Sequence, residues 1–200
     1  MLRSGVKKAW LPVAAAGLLW ATIVLAGGYF LLSYQFVPGV QRLGPASITP
    51  TSSRSSLVLF LHPKCPCSSA TVEQLDKLMA TTEKKLDVKV FFVGPAEAPA
   101  GWRSSALVAR AQRIPGIEVL YDGGGAEARR YGALTSGQAY LFDPSGKRLF
   151  QGGLTDARGH EGDNAGCDSI ETYAKTGMVA ASKTPVFGCA FGTLSQGGQP

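Results

Sequence analysis

Two cysteines one residue apart, Cys65-Pro66-Cys67, are the groups in this chain best suited to chemistry. Sulfur attacks a disulfide or binds a metal as the thiolate. A thiolate forms most readily where a helix N-terminus directs free N–H groups and positive dipole at it. Pro66 suits a first helical turn, and Val72, Leu75, Leu78, Met79 and Leu86 follow at helical spacing with charged residues between them. Cys65 therefore stands at or just before a helix start, beside the positive charge of Lys64, and is the expected nucleophile. Cys67 is the expected partner thiol, although a ring closed between residues so near each other is strained and easily reduced. The competing reading is a pair of buried or structural cysteines without chemistry.

The elements that must position this pair are legible from periodicity. Residues 57–61 are a continuous apolar run, as a central strand covered on both faces requires, and the run stops at His62-Pro63. The helix beginning near Pro66 leads to a second apolar strand at 88–93, which makes a right-handed crossover between parallel strands. Residues 102–114 have helical composition, 117–121 read as a short strand, and 126–131 as a short helix. Strands at 138–142 and 147–151 flank Asp143-Pro144-Ser145-Gly146, a hairpin turn. Ile170, Tyr173, Ala174, Gly177 and Ala181 line one face of a closing helix.

Strand 147–151 must run parallel to 57–61, because both are antiparallel to 138–142. Its C-terminal end therefore faces the cysteines, and so does the loop 155–164, which carries Asp156, Arg158, His160 and Glu161. His160 is a candidate general base for the thiols; the alternative is a turn or helix cap. His62, before a proline, either touches the site or merely ends the strand. Four cysteines in an exported chain allow three pairings, so Cys167 and Cys189 form a structural disulfide, or Cys189 is a further functional thiol or soft ligand. Cys65 and Cys67 with His160 or His62 are the alternative metal set, and soft sulfur with imidazole favours Cu(I). No cofactor is expected otherwise.

This order of elements resembles the thioredoxin fold. The segments His62-Pro63-Lys64-Cys65-Pro66-Cys67-Ser68, Tyr131-Gly132, 152–164 and Pro185-Val186-Phe187-Gly188-Cys189 resemble the membrane-anchored, RedB-like bacterial relatives of thioredoxin. The resemblance implies an α/β fold with a mixed central sheet flanked by helices, and a thiol-based redox role. Two departures stand out. Ser68 occupies the usual resolving position, and Ser136-Gly137 stands where thioredoxins place a cis-proline against the substrate. Pro66, Ser136 and Gly137 are accordingly the expected substrate-contacting positions, and loss of the proline opens space for a water or an ion.

At 200 residues with a formal charge of +6, the chain holds one ordinary domain and an appendage. The basic residues are dispersed, so no nucleic-acid footprint is expected. No charged residue lies between Ala9 and Phe36, and 11–32 alone can cross about 30 Å of hydrocarbon. Arg3, Lys7 and Lys8 precede this span, which predicts a cytoplasmic N-terminus and a single-pass anchor in the inner membrane, with the rest extracytoplasmic. A cleaved signal peptide is the alternative, but the apolar run is too long. The expected division is an anchor at 1–36, a flexible Gly/Pro/Ser/Thr-rich linker at 37–56 and an exported domain at 57–200. The expected partners are exported thiol or disulfide proteins and a redox partner. A peroxide reductase, for which Arg158 is the sole candidate arginine, and a non-catalytic assembly factor are lesser alternatives.

Overall fold

The computed structural model describes residues 4–50, 52–82, 85–97 and 99–192. The elements run α1 (Ser4–Gln35), β1 (Ser55–Leu61), α2 (Ser68–Thr81), β2 (Leu86–Gly94), α3 (Ala100–Arg103), α4 (Ala106–Ala111), β3 (Ile117–Gly123), α5 (Ala126–Tyr131), β4 (Gln138–Phe142), β5 (Arg148–Gly152) and α6 (Ala165–Thr176). Two compact units result, residues 1–37 and residues 38–200. In the first, α1 is long and apolar enough to cross a membrane, and its large apolar side chains, Trp20 and Leu25 among them, are exposed.

In the second unit, β1 is apolar from Leu57 to Leu61 because both of its faces are buried there. Leu57, Leu59 and Leu61 point to one side of the sheet, Val58 and Phe60 to the other, as the two-residue period of a strand dictates. The first side packs on Leu75 and Leu78 of α2 and Ile170 of α6; the second packs on Tyr131, Tyr140 and Phe142. Each such side chain contributes about 1.5–3 kcal/mol through burial. The sheet order is β3-β2-β1-β4-β5, with β1, β2 and β3 parallel and β4 antiparallel to both its neighbours. With helices on both faces, this is the thioredoxin fold. The parallel course of β1 and β5 delivers the ends of both strands to the same edge.

Three expectations need correcting. The helix expected over 102–114 is two short helices, α3 and α4, because Ser105 is extended and its side chain accepts a hydrogen bond from the Val108 N–H, starting a new helix there. The closing helix stops at Thr176, where Gly177 takes the left-handed conformation (φ 77°). Third, the segment expected as a flexible linker is hydrogen-bonded along the domain. Gly39 N–H donates to Val186 O (2.7 Å), Thr135 Oγ1 to Val40 O (2.8 Å), Gly44 N–H to Gln151 Oε1 (2.9 Å) and Ile48 N–H to Gly146 O (2.8 Å). β5 lies at the sheet edge, and this segment satisfies backbone and side-chain groups that the edge leaves open.

Candidate active site

Where β1 ends, the chain turns through His62-Pro63-Lys64, and Cys65 N–H donates to His62 O (3.1 Å). Ser68 N–H then donates to Cys65 O (3.1 Å) and Ser69 N–H to Pro66 O (3.3 Å), which winds the chain into α2. Cys67 is the N-cap, so the helix starts slightly later than Pro66 predicts. Cys65 is 4% exposed, and Cys67 is partly exposed.

A second segment closes on this turn from the C-terminal side. Residues 182–184 pair with β5, Gln151 N–H donating to Ser182 O (3.0 Å) and Thr184 N–H to Gln151 O (3.2 Å). The chain then crosses to 134–136, where Ser136 N–H donates to Cys189 O (2.8 Å) and Phe191 N–H to Leu134 O (3.0 Å). The approach is so close that a Cβ at Gly188 would lie 1.9 Å from Ser136 O. This strap sets Cys189 Sγ 2.7 Å from Cys65 Sγ, in a shared hydrogen bond. The sulfurs of Cys65, Cys67 and Cys189 all lie within 4.8 Å of one another.

The structural Cys167–Cys189 disulfide considered from sequence is therefore absent, and all four thiols are free. Cys167 is buried in the first turn of α6, 3.9 Å from Leu154 O and 4.0 Å from Gln74 Oε1, and burial pushes its thiol up to about 11. The strap has carried Cys189 to the other sulfurs instead.

The three clustered thiols differ in their tendency to ionise. Burial opposes ionisation of Cys65, but hydrogen bonds from the Cys189 and Ser68 side chains and the Cys189 and Cys67 backbone outweigh it and hold its thiol below the ordinary value. Burial, and after it the neighbouring Cys65, raise Cys67 against the pull of Arg158. Burial and the hydrogen bond to Cys65 push Cys189 up to about 12. Cys65 is thus the sulfur of the three that ionises most readily, and it is paired with Cys189 in the 2.7 Å hydrogen bond. Ser68 Oγ lies 2.7 Å from Ser136 Oγ, which accepts the His62 N–H (2.8 Å), so the departures Ser68 and Ser136 form one buried polar pair beneath the sulfurs. Gly137 continues β4's pairing by donating to Phe60 O (2.8 Å), and the described residues contain no cis peptide bond.

The loop after β5 does reach the cysteine end, but it presents Arg158 to the sulfurs. Arg158 hydrogen-bonds Cys67 and donates through Nη1 to Gly188 O, tying the turn to the strap. His160 has an exposed side chain and its N–H donates to Ala157 O (3.3 Å). His62 accepts the Lys64 N–H at Nδ1 (3.2 Å) and packs edge-on to Trp102 (5.2 Å between centroids), while Lys64 Nζ sits 4.6 Å above the same indole. Burial, then the Lys64 charge, lower the His62 pKa. Neither histidine joins the group of potential ligand atoms, which among the described residues is the three sulfurs. Sequence reasoning brought the Arg158-Gly159-His160-Glu161 loop to the cysteines but chose His160 as the acting side chain, gave Arg158 no role beyond the peroxide-reductase alternative, and left Cys189 open. The signal for both was the Gly-rich loop and the Gly188-Cys189 pair.

Beside Cys65 a cleft of about 430 Å³ opens between Pro63, Pro66, Ser69, Leu107 and Arg110. A cavity of about 450 Å³ on the other face of the sheet, next to Ser56 and Tyr131, shares no lining residue with the cysteines. Three clustered sulfurs can exchange disulfides or surround a soft ion. Sulfurs on a tetrahedral ion with bonds of ~2.3 Å stand roughly 3.8 Å apart, and a disulfide bond is about 2.05 Å. The observed 2.7 Å between Cys65 and Cys189 lies nearer the disulfide.

No family model matches the chain, and no curated protein matches it. Among solved structures, it is similar to a hypothetical protein from Sinorhizobium meliloti, with 20% identity and a TM-score of 0.59 over 77% of this chain and 96% of that one. It is also similar to an uncharacterised conserved protein from Geobacillus kaustophilus, with 20% identity and a TM-score of 0.58 over 78% of this chain and 92% of that one. A secreted disulfide oxidoreductase of Mycobacterium tuberculosis aligns at 18% identity and a TM-score of 0.41 over 48% of this chain and 67% of that one. The first two likenesses bear on the fold alone.

Proposed function

We propose that this chain is a membrane-tethered thiol–disulfide oxidoreductase that acts on exported proteins, with Cys65 as nucleophile. The observation that carries this reading is the state of Cys65: a thiol at the mouth of α2, held below its ordinary pKa by hydrogen bonds, with another sulfur 2.7 Å away. Exchange needs a thiolate to attack and a second thiol to release the product, and the cluster supplies both. The cleft beside Pro63 and Pro66 gives a client disulfide a route to an otherwise buried sulfur.

Arg3, Lys7 and Lys8 before the apolar helix support a cytoplasmic N-terminus and an extracytoplasmic domain. The Cys-Pro-Cys turn with the 152–164 and 185–189 segments supports a place among RedB-like thioredoxin relatives. Copper carriage by the same cysteines is the other reading of the residue types, but neither histidine stands with the sulfurs, and two of them are closer together than ligands of one ion.

The test is reduction of insulin disulfides by dithiothreitol, catalysed by the full chain in detergent micelles. Cys65→Ser should return the reaction to its uncatalysed rate. Full catalysis by that variant would remove Cys65 from the mechanism and this reading with it.

A further inference from the structure

We propose that Cys189 is the thiol that resolves mixed disulfides formed on Cys65, so that the oxidised protein carries a Cys65–Cys189 bond rather than a Cys65–Cys67 bond. The inference rests on the oxidoreductase reading and names a resolving residue that the Cys-Pro-Cys spacing does not suggest.

Distance and backbone placement carry it. Cys189 Sγ is 2.7 Å from Cys65 Sγ, and closing to a bond of about 2.05 Å needs a shift of only ~0.7 Å. Cys67 is two residues from Cys65 at the N-cap of α2, where a bond closes a small strained ring. A Cys65–Cys189 bond joins two segments remote in sequence and already in register. The backbone of Cys189 is fixed by the Ser136 N–H, its neighbour Gly188 lies against Ser136 O, and Gly188 O accepts from Arg158. The thiol is thereby held in place before substrate arrives, which removes most of the entropic cost of the second step.

Cys65 thiolate attacks one sulfur of a client disulfide, forming a Cys65–client disulfide and releasing the other client sulfur as thiolate. Cys189 gives its proton to that thiolate or to water, then attacks Cys65 Sγ, forming the Cys65–Cys189 bond and expelling the remaining client thiolate. The client disulfide gains two electrons and the cysteine pair loses two; the reverse sequence donates a disulfide. Before attack, Cys189 stays protonated because of its burial and because it shares a hydrogen bond with the charged Cys65. Once Cys65 is bonded to the client, that charge is gone while Arg158 remains, so Cys189 ionises more easily when it is needed.

The experiment treats the full reduced chain with one equivalent of the aryl disulfide dithiobis(nitrobenzoate), reading nitrothiobenzoate release and mapping the product by mass spectrometry. Wild type should release both halves of the reagent and yield a Cys65–Cys189 cross-linked peptide. Cys189→Ser should release one half and retain the other on Cys65, that first release also reporting a folded, reactive site. Cys67→Ser should release both. The proposal is overturned if Cys67→Ser retains the aryl group, if Cys189→Ser releases both halves, or if the wild-type bridge is Cys65–Cys67. A Cys65→Ser variant that consumes reagent at the wild-type rate overturns the oxidoreductase reading itself, an outcome distinct from these.

Discussion

Cys65 owes its lowered pKa to hydrogen-bonding neighbours rather than to a cation beside the sulfur. Lys64, the cation beside it in sequence, turns to the Trp102 ring, while Ser68 and Cys189 hydrogen-bond the sulfur. Removing one donor disfavours the thiolate, so Ser68→Ala should raise the Cys65 pKa by roughly one unit, the scale of one hydrogen bond to a charged group. Alkylation of the Cys65 peptide near pH 7 should slow several-fold, measured against pH by mass spectrometry. An unchanged profile would mean that the hydroxyl does not stabilise the anion. The turn that carries Cys65 was legible in the sequence, because a strand, a cysteine and a proline-led helix are local signals. Which side chain of the 155–164 loop meets the sulfurs was not. Topology brings the loop to the right edge, but the choice between Arg158 and His160 depends on backbone turns that no periodicity encodes.

Among the elements, the strap of residues 182–191 does most to build the site, and it is the element least visible in the sequence. Its partners, Gln151 in β5 and residues 134–136, lie some distance away along the chain, and its own residues carry no two- or 3.6-residue period. The same holds for residues 39–48, whose Gly- and Pro-containing, aperiodic sequence reads as a tether although they bond to the strap and the hairpin. The strands and α2, by contrast, follow from their apolar patterns. Gly188 is the strap's closest approach to the sheet. In Gly188→Ala the new methyl must displace the strap or Ser136 O, at a cost of about 1–3 kcal/mol. The full chain should then unfold several degrees lower and lose most of its second nitrothiobenzoate release, since Cys189 moves with Gly188. If the release persists undiminished, the strap does not position the thiol.

On the scale of the whole molecule, an apolar helix fit to cross a membrane precedes a thioredoxin-fold domain, and the proposed function takes that domain to lie on the exported side, as Arg3, Lys7 and Lys8 ahead of the helix support. Fold alone does not fix function, so the central claim rests on the cysteines cycling in that compartment. On that reading, a stabilised thiolate favours the reduced form and raises the potential relative to the same pair with an ordinary thiol. The most direct measurement equilibrates right-side-out spheroplasts bearing the full chain with stepped ratios of membrane-impermeant reduced and oxidised glutathione, then quenches with acid and reads the Cys65 peptide. The account predicts a single reversible two-electron transition of Cys65 in intact spheroplasts. A transition appearing only after detergent lysis would contradict the topology, and a Cys65 that stays in one state at every ratio, intact or lysed, would contradict the redox function.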